Sequence, residues 1–137
     1  MQDKILLVKV IPSSRIAKDI KKIRKKYDSV ERDIEPLIKE LEAGETPGDR
    51  ISGNKYPVYK VRIKNSNNRR GKSGGYRVIY YTVTPEAIVL ITIYSKSEQE
   101  NISDREIEDI IEQYEQEAER QSKEIAKIES ETSETNE

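Results

Sequence analysis

Two runs of β-forming residues, Tyr76 to Val83 (YRVIYYTV) and Ala87 to Tyr94 (AIVLITIY), stand almost back to back, separated only by Thr84-Pro85-Glu86. A connection this short favours antiparallel pairing, because a parallel pair needs a crossover of a dozen or more residues. Neither run alternates cleanly between apolar and polar residues, the pattern of strands covered on both faces. Upstream, Val58 to Ile63 does alternate. It places Val61 and Ile63 on one face, and Lys60 and Arg62 on the other, with Lys64 continuing the second set. The polar, glycine-rich stretch Asn65 to Gly75 (NSNNRRGKSGG) joins it to the next strand as a hairpin loop. A sheet of consecutive strands is the frame into which the rest must fit.

The residues before it supply the cover. Lys4 to Ile11 (KILLVKVI), stopped by Pro12, reads as an opening strand packed at an edge of the sheet. Ser13 or Ser14 caps a helix whose Ile16, Ile20, Ile23 and Tyr27 form one apolar stripe. A second helical pattern carries Val30, Ile34, Leu37, Ile38 and Leu41 and ends at Gly44. Pro36 within it implies either a kink or a later start. Pro47-Gly48 opens a loop. After the sheet, Ser103 and Glu106 have the spacing of a capping box, and Ile107, Ile111, Tyr114, Ala118, Ile125 and Ile128 keep heptad-like intervals interrupted by Gln121. From Glu129 the composition (ESETSETNE) predicts disorder. The expected order is β-α-α-β-β-β-α, an α+β domain over residues 1–115. Residues 116–137 form an acidic helical extension and tail.

The formal net charge of −1 conceals a strong asymmetry. Residues 1–101 hold 21 Lys and Arg against 13 Asp and Glu, whereas residues 102–137 hold 4 against 13. The contrast is sharpest from Arg50 to Pro85. There Arg50, Lys55, Lys60, Arg62, Lys64, Arg69, Arg70, Lys72 and Arg77 occur with no acid among them. Like charges at this density repel, and a polyanion relieves the repulsion, so this segment reads as a nucleic-acid backbone site, RNA in the first place. A solvated basic face is the plainer alternative. The acidic end is placed either to solubilise the chain or to lie against the basic face as a competitor.

Composition narrows the chemistry. With no Cys and no His, the chain has no disulfide, no thiolate or imidazole metal site, and no triad built on either residue. No apolar run approaches bilayer length, and Met1 to Lys9 is too short an apolar run for a signal peptide, which predicts a cytoplasmic protein without a membrane partner. Gly71-Lys72-Ser73 ends like a Walker A motif but lacks its leading glycine, Ser66 standing there, and it precedes a strand rather than a helix. It is not a nucleotide site.

The residues Tyr59-Lys60-Val61-Arg62, then Gly71-Lys72-Ser73-Gly74-Gly75-Tyr76-Arg77-Val78-Ile79-Tyr80-Tyr81, then Ile93-Tyr94-Ser95-Lys96 resemble the RelE/ParE toxin superfamily. The likeness is closest to its RelE-like branch, in which a GxSGGxRVIYY-type strand is characteristic, and it covers residues 4 to about 115. It implies a RelE-like fold, with an N-terminal strand and α-hairpin packed on a small antiparallel sheet and a C-terminal helix following. It implies a toxin of a type II toxin–antitoxin pair that cleaves messenger RNA on the ribosome without metal or cofactor, the ribose 2′-hydroxyl attacking the adjacent phosphate. The partners would be a cognate antitoxin, the ribosome and mRNA. By position the resemblance assigns Lys60, Arg62 and Arg77 to the catalytic set, with Lys96 beside the place of a fourth basic residue. The matched position itself is Ser97, and Ser103 stands near the place of a tyrosine found in some members. Lys64, Arg69, Arg70, Lys72 and Tyr76 are the expected RNA-binding residues, Tyr76 by stacking on a base. A ParE-like gyrase inhibitor and a non-catalytic nucleic-acid-binding module are the competing readings.

Overall fold

The computed structural model describes residues 7–68 and 74–135. Its elements are β1 (Lys9–Pro12), α1 (Ser14–Arg24), α2 (Val30–Glu42), β2 (Asp49–Ile51), β3 (Val58–Ile63), β4 (Tyr76–Thr84), β5 (Ala87–Ser95) and α3 (Asp104–Thr135). The five strands form one sheet in the order β1-β5-β4-β3-β2. The α+β architecture and the edge position of β1 follow the sequence reading. Two features correct it. β1 runs parallel to β5, so the sheet is mixed rather than antiparallel. Residues 49–51, read as loop, form a short edge strand on β3.

The central strands are buried on both faces, which accounts for their unbroken β-former runs. On one face Val61, Ile63, Tyr76, Val78, Tyr80, Ile88, Leu90 and Ile93 pack against Ile16, Val30, Ile34, Leu37 and Leu41 of the α-hairpin. On the other, Val58, Ile79, Tyr81, Val89, Ile91 and Tyr94 meet Ile102, Ile107, Ile110 and Ile111 at the start of α3. Burying such side chains contributes roughly 1.5–3 kcal/mol each, so two thin layers suffice for a chain this polar.

Local chemistry fixes the helix starts. Ser13 is buried; its hydroxyl accepts from the Ile16 amide (3.1 Å) and donates to the Ile91 carbonyl (2.8 Å), capping α1 and tying it to β5. Ser103 caps α3 by accepting from the Glu106 amide (3.1 Å). The Glu106 carboxylate accepts from Arg15 on α1, which also pairs with Asp19. α2 runs unbroken from Val30 through Pro36, which excludes a start at the proline. α3 continues to Thr135, past the expected onset of disorder at Glu129, because Glu, Ser and Thr without Gly or Pro do not stop a helix already formed. Among the described residues no helix is long and apolar enough to cross a membrane.

Candidate nucleic-acid interface

α3 begins at Asp104 and covers only part of its face of the sheet. The uncovered part is cationic, and strand register explains why. In an antiparallel ladder, residues directly opposite share a face. Arg62 on β3 lies opposite Arg77 on β4, and Arg77 lies opposite Tyr94 on β5. Lys60, two residues from Arg62 and hence on the same face, lies opposite Ile79, beyond which the apolar row Val58–Tyr81 begins. The boundary between apolar floor and basic floor therefore falls between adjacent rows of the same three strands.

The four residues assigned by resemblance meet here. The Lys60 ammonium is held below its usual range, first by burial and then by Arg77, Lys96 and Arg62 in that order. The sequence put Lys64 among its neighbours; the structure gives that place to Arg77 and Lys96, which arrive from β4 and from the end of β5. Arg77 is 4% exposed, with Nη1 donating to the Tyr76 carbonyl (3.3 Å). Its pKa is lowered by burial and by Arg62. It is part of the floor, although the Gly74-Gly75 pair before it would by itself leave the side chain unshielded. Those glycines act differently: a Cβ on Gly75 would stand 2.0 Å from the Ile63 carbonyl oxygen, so only glycine lets the loop close onto β3. The Gly75 carbonyl also accepts from the Lys96 amide (2.9 Å), joining the two ends of the site.

Residues 96–103 rim this floor. Lys96 Nζ donates to the Glu100 carbonyl (3.1 Å), and Lys60 Nζ donates to Asn101 Oδ1 (3.0 Å). Asn101 Oδ1 also accepts from the Ile102 amide (3.0 Å), which fixes its side chain. Asn101 escaped the sequence reading because nothing in its neighbourhood places it beside a lysine 41 residues away. Tyr94, opposite Arg77 in the ladder, is 6% exposed and closes the floor on the β5 side. Ser97, at the matched place of the fourth basic residue, shares a hydrogen bond with Ser95 (2.9 Å). Ser103 is occupied as the cap of α3. Glu98, a conceivable partner for Arg77, accepts from Lys26 on the far side of β5 (2.8 Å).

The expected RNA-binding residues divide three ways. Lys64 is exposed just beyond β3 and lines a groove of 560 Å³ with Lys60 and Arg62 of the basic floor and with Asp33, Glu40 and Asp49. Arg69, Arg70 and Lys72 lie outside the described residues. Tyr76 is fully buried, its ring edge-on to Tyr27 at 6.3 Å, and burial pushes its hydroxyl far above the usual range. Stacking on a base from that position is impossible without unpacking the core, so this assignment is withdrawn. Its side chain faces the α-hairpin because it alternates with Arg77, and one residue cannot serve both faces.

Among the described residues the acidic end does not fold back on the basic floor. α3 starts beside Asn101 and carries Glu131 about 40 Å along its axis from Asp104, so the competitor reading fails on geometry.

Fold and site together define a small α+β domain with a cationic sheet face bounded by one helix. A family model described as the RelE toxin of the RelE / RelB toxin-antitoxin system matches residues 15–135. The chain belongs to the RelE toxin family. No individual curated protein matches it.

Proposed function

We propose that this toxin is an endoribonuclease that cleaves messenger RNA on the ribosome by internal attack of a ribose 2′-hydroxyl, using the groups of its cationic floor. The observation that carries the reading is the convergence of Lys60 and Arg62 from β3, Arg77 from β4 and Lys96 from just past β5 on the part of the sheet that α3 leaves open. A pure binding face gains most from cations spread along a backbone. Here they crowd one half-buried lysine, whose pKa is lowered first by burial and then by these cations, the cost of building a site for one concentrated negative charge.

The roles follow from the side-chain types. Neutral Lys60 takes the proton as the 2′-oxygen bonds to phosphorus. Its lowered pKa makes the free amine accessible, and Asn101 aims it. Arg77 and Arg62 hold the charge that builds on the phosphoryl oxygens, most strongly in the transition state. The bond from phosphorus to the 5′-oxygen then breaks, and that oxygen takes a proton from the Lys96 ammonium. Lys96 is assigned because guanidinium groups do not release protons at working pH. The products are a 2′,3′-cyclic phosphate and a 5′-hydroxyl. The biological setting is the cytoplasm, with a cognate antitoxin that covers the basic floor. Its contact would be an acidic or amphipathic segment reaching Lys60, Arg62 or Arg77, or displacing α3.

Purified chain added to ribosomes programmed with mRNA tests this. The expected result is mRNA cut at the decoding site with a cyclic-phosphate end, in the presence of a chelator, and lost on Arg77→Ala. Inhibition of gyrase supercoiling without RNA cleavage would transfer the chain to the gyrase-inhibitor reading. Salt-sensitive RNA binding with no turnover would make it a binding module.

A further inference from the structure

The long helix α3 continues well beyond the body it packs on. Ile107 and Ile111 are fully buried, Tyr114 is half-buried, and Ala118 and Gln121 line the last groove shared with Ile11, Pro12, Ser13 and Ser14. From Ser122 to Thr132 every side chain is exposed. The apolar series does not stop where the body does. Ile107, Ile111, Tyr114, Ala118, Gln121, Ile125, Ile128 and Thr132 are spaced alternately by four and three residues, a continuous heptad spacing whose apolar series is interrupted by Gln121 and ends in the polar Thr132. Its first three positions, Ile107, Ile111 and Tyr114, are covered by the body, and Ala118 and Gln121 are already exposed. In its second half Ile125 and Ile128 are 56% and 55% exposed, one turn apart on the same line. Ordinary exposed apolar residues are scattered singly; these two continue a buried seam.

The flanks of the seam state what covers it. In heptad terms the positions on either side are Glu115, Glu117, Ser122, Glu124, Glu129 and Glu131. The cations of this stretch, Arg120, Lys123 and Lys127, all sit on the outer face, where Lys123 pairs with Glu119 of the same helix (3.2 Å). A second copy of α3 in parallel would set Glu124 against Glu129 of its partner, and an antiparallel copy would also meet glutamate with glutamate. Both arrangements are repulsive. A helix with apolar core positions and Lys or Arg on its flanks meets every one of these glutamates with an opposite charge.

We propose that residues 118–132 of α3 are a docking seam for a basic amphipathic helix of a second protein, forming a short two-stranded coiled coil away from the cationic floor. This does not rest on the nuclease reading. The site would hold a partner while leaving Lys60, Arg62 and Arg77 open, since the seam and the floor lie at opposite ends of α3.

The test uses the full chain and two synthetic helices of three heptads. Both carry Ile and Leu at the core positions; one has Lys at all flanking positions and the other has Glu. Binding is followed by fluorescence anisotropy, and self-association by sedimentation. The expected result is that the Lys helix binds and the Glu helix does not. Ile125→Ala with Ile128→Ala should weaken the Lys helix at least tenfold with helix content by circular dichroism unchanged, since alanine sustains helix. Glu124→Lys, Glu129→Lys and Glu131→Lys together should exchange the preference between the two helices. Equal binding of both helices, binding of neither, or loss of neither by the alanine pair overturns the proposal. Concentration-dependent self-association abolished by the alanine pair overturns it in favour of a second copy.

Discussion

Replacing Asn101 by aspartate and, separately, by alanine should move the pH dependence of cleavage in opposite directions. Asn101 Oδ1 accepts from Lys60 Nζ at 3.0 Å, a bond available only to a donor and strongest when the amine is charged. The remaining charges around that nitrogen are Arg62 on its own strand, Arg77 on β4 and Lys96 after β5. Asp49 lies opposite on β2, and Asp104 lines the same groove at the start of α3. The three cations and burial dominate, which is why the Lys60 pKa lies below its usual range. A carboxylate placed at this contact attracts the ammonium by about 4 kcal/mol at an effective dielectric of 20 and 4 Å. Asn101 is exposed, and pairs at exposed sites retain only about 0.2–1 kcal/mol of such attraction, somewhat more against a half-buried lysine. At 1.36 kcal/mol per unit, the Lys60 pKa should therefore rise by about half to one unit in Asn101→Asp. In Asn101→Ala the loss of one charge-assisted bond, roughly 1 kcal/mol, should lower it by about 0.7 unit. If neutral Lys60 is the base, single-turnover cleavage rises with pH through this pKa. Its rising limb then shifts up in the aspartate variant and down in the alanine variant. The position of the limb, not the absolute rate, is the readout, because a new carboxylate also weakens phosphate binding. A limb that stays fixed in both variants, or moves the same way in both, would refute Lys60 as the base.

Arg77→Met should separate function from stability. The guanidinium is almost wholly buried beside Arg62 and donates to the Tyr76 carbonyl, so a neutral side chain of similar length should leave the melting temperature within about 3 °C while cleavage falls about a hundredfold. A larger fall in melting temperature would make Arg77 a structural residue. Gly75→Ala should destabilise by at least roughly 1–3 kcal/mol in urea titrations, because its Cβ would meet the Ile63 carbonyl oxygen at 2.0 Å and the backbone must shift. Truncation after Gln121 should leave the thermal transition and low-salt RNA binding unchanged, since the described side chains removed are exposed and lie far from the basic floor. Tighter binding by the truncated chain would revive the competitor reading.

The sequence by itself determined the elements and their faces. Two adjacent β-former runs joined by a three-residue turn have one economical pairing, and alternation in Val58–Ile63 assigns Lys60 and Arg62 to one face whatever packs on the other. Local capping chemistry was legible as well, since Ser13 and Ser103 act on amides three residues away. What tertiary structure decided are the relations between distant segments. The direction of β1 depends on its pairing with the last strand in the chain, a contact no local pattern encodes. β2 has three residues, too few for any periodicity, and exists because Gly48 lets the chain approach Lys60: a Cβ there would stand 2.4 Å from the Lys60 carbonyl oxygen. Tyr76 and Arg77 carry the same lesson as neighbours. Sequence marked both as surface ligands, but the sheet turns one into the core and the other onto the basic floor, because both faces of β4 are covered over most of its length. Asn101 became visible only when the turn after β5 brought it to Lys60. Periodicity reports which way a side chain points; only the folded chain reports what it points at.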